Sequence, residues 1–432
     1  MNKISSSNLE SSIREIVNNC PIIDVHSHLF PSAHLELCLF GIDHLLTYHY
    51  LISELFIVWS QLSVSDFYQL SLENQANIVW EQLFIFRSPI SEACRGVITT
   101  CQQLGLSEWV EQRDLEMIRE YFNSLKDDPQ KLEDYIESIF KNNNIKYTIM
   151  TNEIFNSREI DLWEQTPVLN LSNRFKTSLR VDPLIINYSQ MALFIQKYQY
   201  TPSISGFKQY LRDWNQRIKP EYLMASLPYD FYYESNQNSG HQISEKHLSS
   251  SQVIDLIITP MALELNLPIA FKFGTQRKIN PQLKTAGDSL GVSSVESLAR
   301  LCQSYPECKF LATFLSLVNQ HQLCTVARSF QNLHIYGCWW FLNNPSLIRQ
   351  ITQMRIEMLG WGFTAQHSDA RVIEQLIYKW FHSKSIIADI LIDKYNNLLQ
   401  SGWSLDYDEV SRDIQKIFCG SYESFMDKQL VL

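Results

Sequence analysis

Two rhythms of apolar and polar positions run along this chain. One is short: β-rich runs bounded by Pro, Gly, Asn or Ser. They are "PIIDVHSH" (21–28), "KYTIMTN" (146–152), "TSLRVDP" (177–183), "YLMASLP" (222–228), "PIAFKFG" (268–274), "KFLATFL" (309–315), "LHIYGCWW" (333–340) and "GFTAQHSD" (362–369). The other is longer and suits helices, as in "LSSSQVIDLIITPMALELN" and "SLIRQITQMRIEML", which fall between strands. Alternation of strand and helix predicts a parallel sheet. Eight such units predict an α/β fold, a distorted (β/α)8 TIM barrel, with its active site at the C-terminal strand ends. An open doubly wound sheet is the alternative, but no glycine-rich phosphate loop follows the first strand.

The first connection breaks the rhythm. Strand one ends near residue 28 and strand two starts near 146. One crossover helix does not need that length. The stretch reads as several helices, among them "GIDHLLTYHYLISELFIVWSQL" and "RDLEMIREYFNSL". The expected organisation is therefore an N-terminal helix and strand one over 1–30, an inserted helical subdomain at the barrel mouth over 31–145, and the remaining barrel over 146–432.

Candidate chemistry lies at the strand ends. Side chains alternate along a strand, so Asp24, His26 and His28 are expected on one face. Neutral imidazoles suit a borderline cation such as zinc. Two satisfied polar residues near a loop is the plainer reading. "AQHSDAR" offers His367 and Asp369 at the eighth strand's end, and a carboxylate makes a good third ligand. Asp369 also reads as an N-cap, because "ARVIEQLIYKW" is expected to begin a helix at once. Arg371 and Arg180 suit an anionic substrate, since a guanidinium fork matches a carboxylate; each could equally neutralise a nearby acid. Trp339 and Trp340 are expected to point opposite ways, so that one faces the mouth. His49 and Tyr50 lie in the helical insertion, where neighbours on a helix do not share a face.

Composition narrows the classes. The net charge is −10 and 19% of residues are charged, which argues against nucleic acid or an anionic membrane as partner. No apolar run of ~18 residues suggests a membrane span. The start, "MNKISSSNLESSIREIVNNC", lacks the apolar stretch of a secretory leader, so a cytoplasmic location is expected. The nine cysteines are scattered without a CxxC pair and read as buried reduced thiols.

Taken together, "DVHSHLF", "HLLTYHYL", "RSPISEACRGV", "LRVDPL", "GCWWFLNNP" and "QHSDARVIEQLIYKW" resemble the uronate (glucuronate) isomerases of the amidohydrolase superfamily, in a divergent Bacillus-type branch. The resemblance spans essentially the whole chain. It implies one divalent metal ion, zinc by default, on His26, His28 and Asp369. It implies that His49 and Tyr50 reach the substrate, that Arg180 and Arg371 bind its oxygens, and that Trp339 lines the site. Lys272 stands where family members with "LHIG" carry a histidine, as a substrate contact or turned outward. The implied reaction interconverts D-glucuronate with D-fructuronate and D-galacturonate with D-tagaturonate through an enediolate. Its catalytic set is Tyr50, His49, Asp369 and Arg371, with Tyr50 as proton shuttle if the cations lower its pKa; water activated at the metal is the other base. A mononuclear hydrolase or lactonase of the same fold is the alternative, weakened by the absence of histidines in strands five and six. A non-catalytic sugar-acid-binding protein ranks third. The expected partner is a small uronate, with a homo-oligomer left open.

Overall fold

The computed structural model describes residues 3–34, 37–126, 128–165, 172–235, 245 and 247–430. The fold is mixed α/β with parallel sheets. Helix α1 (Leu9–Asn19) buries Leu9, Ile13, Ile16 and Val17, an apolar stripe at helical spacing. The chain then enters strand β1 (Ile22–Asp24), buried at every position.

β1 pairs in parallel with β2 (Ile145–Ile149), and β2 with β3 (Phe175–Lys176). A second parallel path joins β4 (Leu179–Arg180), β5 (Leu223–Pro228), β6 (Ile269–Gln276), β7 (Phe310–Phe314) and β8 (Leu333–Ile335) in that order. Single bridges link the pieces: Asn152 with Leu179, and Tyr336 with Thr364. At the seam, His28 N donates to Ala370 O (2.7 Å) and Asp369 N to His26 O (3.1 Å). Alternation along the strands sorts side chains to two sides. Met224, Ala270 and Leu311 join Ile23, Val25 and Ile149 in one small apolar cluster. Leu223, Ala225, Ile269 and Phe271 face the large one.

The expected eighth strand, 362–369, is not formed as a strand. Only Thr364 forms a bridge, to Tyr336 just past β8, and the neighbouring Ala365 N–H is taken by Ile417 O from the C-terminal segment. The short apolar run is therefore shared between two partners and builds no ladder.

Between β1 and β2 the described residues include helices α2 (His49–Val58), α3 (Glu92–Gln103), α4 (Leu115–Lys126) and α5 (Pro129–Asn142). Their apolar residues, among them Leu51, Val97, Phe122 and Ile136, share the large core cluster with strand residues. Further on, the 26-residue helix α6 (Gln375–Gln400) lies against α1 and α3. All nine cysteines are free and buried. Among the described residues no helix is long and apolar enough to cross a membrane.

Glu374 pins the helical segment to the start of α6. Its Oε1 accepts from Gly41 N and Tyr135 OH, both at 3.0 Å. Burial raises its carboxyl to about 7 against these hydrogen bonds. Between pH 4.5 and 7 the folded state therefore holds a proton that the unfolded state has lost. This group's contribution to stability declines as pH rises through that window. Glu374→Gln is expected to flatten that decline, at ~1.4 kcal/mol per pKa unit, in Tm measured against pH. An unchanged pH slope counts against a protonated Glu374.

Candidate metal site

The site forms where the end of β1 meets the segment after β8. His26 and His28 lie beyond Asp24, the last strand residue, and their rings meet edge to face at 5.1 Å. His26 Nε2 is 3.0 Å from Asp369 Oδ1, and His28 Nε2 is 3.6 Å from the same oxygen. Burial first, then nearby cations, holds His26 down to about 4 and His28 well below its usual range. Both imidazoles thus offer lone pairs at neutral pH. Burial alone would raise Asp369, but Lys272 and the two histidines reverse this and keep it ionised.

This donor set fits a divalent ion. Ligand atoms ~2.1 Å from one tetrahedral ion stand ~3.4 Å apart, close to the two separations found. Among the described residues, His26, His28 and Asp369 form the group able to hold a metal, their ligand atoms all within 4.8 Å of one another. Asp24, expected on the same face, is not part of it. Its carboxylate accepts from Ser368 N (2.7 Å), Ser368 Oγ (2.5 Å) and Thr148 Oγ1 (3.0 Å). Nor is Asp369 an N-cap. Helix α6 starts six residues later, and Asp369 sits at φ 50°, in the left-handed region.

Lys272 turns inward, not outward. Its buried Nζ lies 3.3 Å from Asp369 Oδ1 and 4.4 Å above the Trp339 ring, and burial lowers its pKa to about 7. Trp339 and Trp340 do not diverge as strand alternation predicts. β8 has ended at Ile335, and Trp340 takes φ 48°, so both rings join one cluster with Leu315 beside Tyr50. His49 and Tyr50 open helix α2 and present unpartnered polar atoms, His49 Nε2 and Tyr50 OH. The His49 ring meets Trp340 at 5.8 Å. Burial lowers His49 strongly and raises Tyr50 well above its usual range. The expectation that cations lower Tyr50 is therefore overturned; Arg371 opposes the rise but desolvation outweighs it.

The two arginines differ. Arg180 is engaged by Asp182 Oδ1 (2.7 Å) and Glu153 Oε1 (2.5 Å). Arg371 forms no ion pair among the described residues, and its backbone N–H donates to Gln375 Oε1 (2.8 Å). A cavity of about 350 Å³ opens beside His28 and Arg371, lined also by Thr151, Glu153, Asn156 and Arg158. Sequence reasoning missed Lys379 and the placement of Trp340. Lys379 carried no clear signal, because Lys384 and Lys394 follow on the same helix and its own partners are backbone carbonyls. Trp340 carried no signal, because its conformation depends on where β8 stops.

Gly337, at φ 63°, makes room for this arrangement. A Cβ there would lie 1.9 Å from His367 Cδ2, and the His367 ring sits 5.3 Å from His26. Gly337→Ala is expected to destabilise the fold by ~3 kcal/mol through overpacking and left-handed strain, measured by denaturant unfolding. A change under ~0.5 kcal/mol would show the loop to be pliable.

No protein-family model and no curated protein matches the chain. Among solved structures, a uronate isomerase from Bacillus halodurans C-125 is 40% identical and superposes with a TM-score of 0.90, over 98% of this chain and 97% of that one. A uronate isomerase from Thermotoga maritima (13% identity, TM-score 0.75, 97% of each chain) shares the fold. So does a glucuronate isomerase from Caulobacter crescentus (13%, TM-score 0.73, 98% of this chain and 95% of that one). The chain belongs to the uronate isomerase family.

Proposed function

We propose that the chain is an aldose–ketose isomerase that interconverts D-glucuronate with D-fructuronate and D-galacturonate with D-tagaturonate. One observation carries the reading. Two unprotonated imidazoles and an ionised carboxylate converge beside an arginine without an acidic partner among the described residues, in a chain 40% identical to a uronate isomerase. The strand series, joined by single bridges and by the seam at His26 and Ala370, supports a distorted (β/α)8 barrel with the helical segment 31–145 at its mouth. A cytoplasmic location fits the same reading.

His26, His28 and Asp369 would hold one divalent ion, zinc by its N, N, O donors, which polarises a sugar oxygen when bound. The protein's own residues supply the rest. Arg371, on the cavity wall, takes the substrate carboxylate in a charge-assisted hydrogen bond. Arg180, fixed by Asp182 and by Glu153 of the cavity lining, offers positive field to the substrate. Tyr50 enters as a neutral phenol, the donor to the developing enediolate oxygen, and His49 enters unprotonated, able to accept the C2 proton and return it to C1. Lys272 sets positive charge beside Asp369 and Trp339 closes that side to water.

In deuterated water, the purified protein is expected to form ketose from D-glucuronate or D-galacturonate with solvent deuterium appearing at C1 or C2 by NMR. Turnover of lactones or amides with no reaction of any uronate would sink the proposal. Arg371→Met is expected to raise KM by ~10- to 100-fold, the ~1.5–3 kcal/mol of a hydrogen bond to a charged group. An unchanged KM removes Arg371 from the substrate.

A further inference from the structure

Asp369 is a non-glycine residue in the left-handed region, at φ 50°. That conformation costs ~1–2 kcal/mol for an L-residue and persists only where the surroundings enforce it. Three contacts surround it. Asp369 N donates to His26 O. The preceding Ser368 is tied through N and Oγ to Asp24. On the remaining side stands Lys379, one turn into helix α6. Its buried Nζ donates to Ser368 O at 2.6 Å and reaches Asp369 O at 3.5 Å.

Lys379 has no carboxylate within ion-pair distance among the described residues; its ammonium donates to these two carbonyls. Its ammonium also stands 5.9 Å from the Tyr48 and Tyr50 rings. The two N–H groups flanking Asp369 are already taken, Asp369 N by His26 O and Ala370 N by Ser368 Oγ (3.1 Å), while the carbonyls of Ser368 and Asp369 turn toward this one buried cation, with Asn343 Nδ2 a longer second donor to Ser368 O (3.3 Å). We infer that Lys379 is a positioning residue for the metal site: by gripping the carbonyls of Ser368 and Asp369 it holds the backbone turn that aims Asp369 Oδ1 at His26 and His28. The inference rests on the reading that these three residues hold a metal ion.

The same helix supplies a control. Lys384 is likewise buried and likewise donates to backbone carbonyls, Asn18 O (2.9 Å) and Cys20 O (3.4 Å), but these precede β1 and lie outside the site. Loss of a buried cation is therefore common to both lysines, and the grip on Asp369 belongs to one.

The test measures zinc affinity of the full chain by competition with a chromophoric chelator, alongside circular dichroism and Tm. Lys379→Met is expected to weaken zinc binding at least tenfold, while Lys384→Met stays within twofold of the wild type even if both lower Tm. Lys379→Arg, which keeps a donor at this depth, is expected to recover affinity to within about threefold. If Lys379→Met does not fold, Lys379→Gln against Lys379→Arg gives the same comparison. Equal affinity in the Lys379 and Lys384 variants, or wild-type affinity in Lys379→Met, overturns the inference and leaves the metal site standing. A wild-type protein that takes up no zinc overturns the metal reading, and this inference with it.

Discussion

A carboxylate shut away from water takes up a proton unless something nearby opposes it. Asp369 stays ionised because Lys272, His26 and His28 surround its Oδ1. Those partners come from β6 and from the end of β1, and Asp369 itself from the segment after β8. The charge is compensated only when these distant stretches meet, so the site exists only once they are packed against one another. The backbone shows the same dependence in the seam bonds at His26, His28, Asp369 and Ala370. Two non-glycine residues in the left-handed region, Trp340 and Asp369, stand at this mouth, where rigid neighbours can hold them.

Around that centre the cations are divided by what already occupies them. Arg180 is clamped before any ligand arrives, so little side-chain freedom is left for it to lose on binding. Arg371 keeps its guanidinium free of ion pairs among the described residues. One guanidinium is thus preset and the other is free of acidic partners among those residues. Exchange of Arg180 for lysine would not be neutral, because two nitrogens of its planar fork pair with the Asp182 carboxylate.

Much of this was legible in the residues. The repeated β-like runs located β1, β2 and β4 to β8, missing among these eight only the two-residue β3, and the two-residue spacing of His26 and His28 survived although the strand stops at Asp24. The run 362–369 misled because its apolar letters serve two neighbours, β8 through Thr364 and the C-terminal segment through Ala365. Asp24 misled because periodicity says which side a residue takes, not whether Ser368 and Thr148 already occupy its oxygens. Tyr50 was misjudged for a physical reason: the charges near it could be listed from sequence, but the depth of burial that outweighs them could not. Lys379 went unnoticed because its partners are backbone carbonyls, which leave no trace in side-chain patterns.

The nine cysteines bear on a different matter. Each thiol is free and buried, and burial moves all nine to higher pKa, away from the reactive thiolate. They are spread from Cys20 in front of β1 to Cys419 near the C-terminus. An alkylating reagent added to the native protein therefore finds little to react with, and each site becomes available only when its own neighbourhood opens. Read one by one by mass spectrometry, the thiols form a built-in map of which parts of the molecule breathe and which open only in global unfolding.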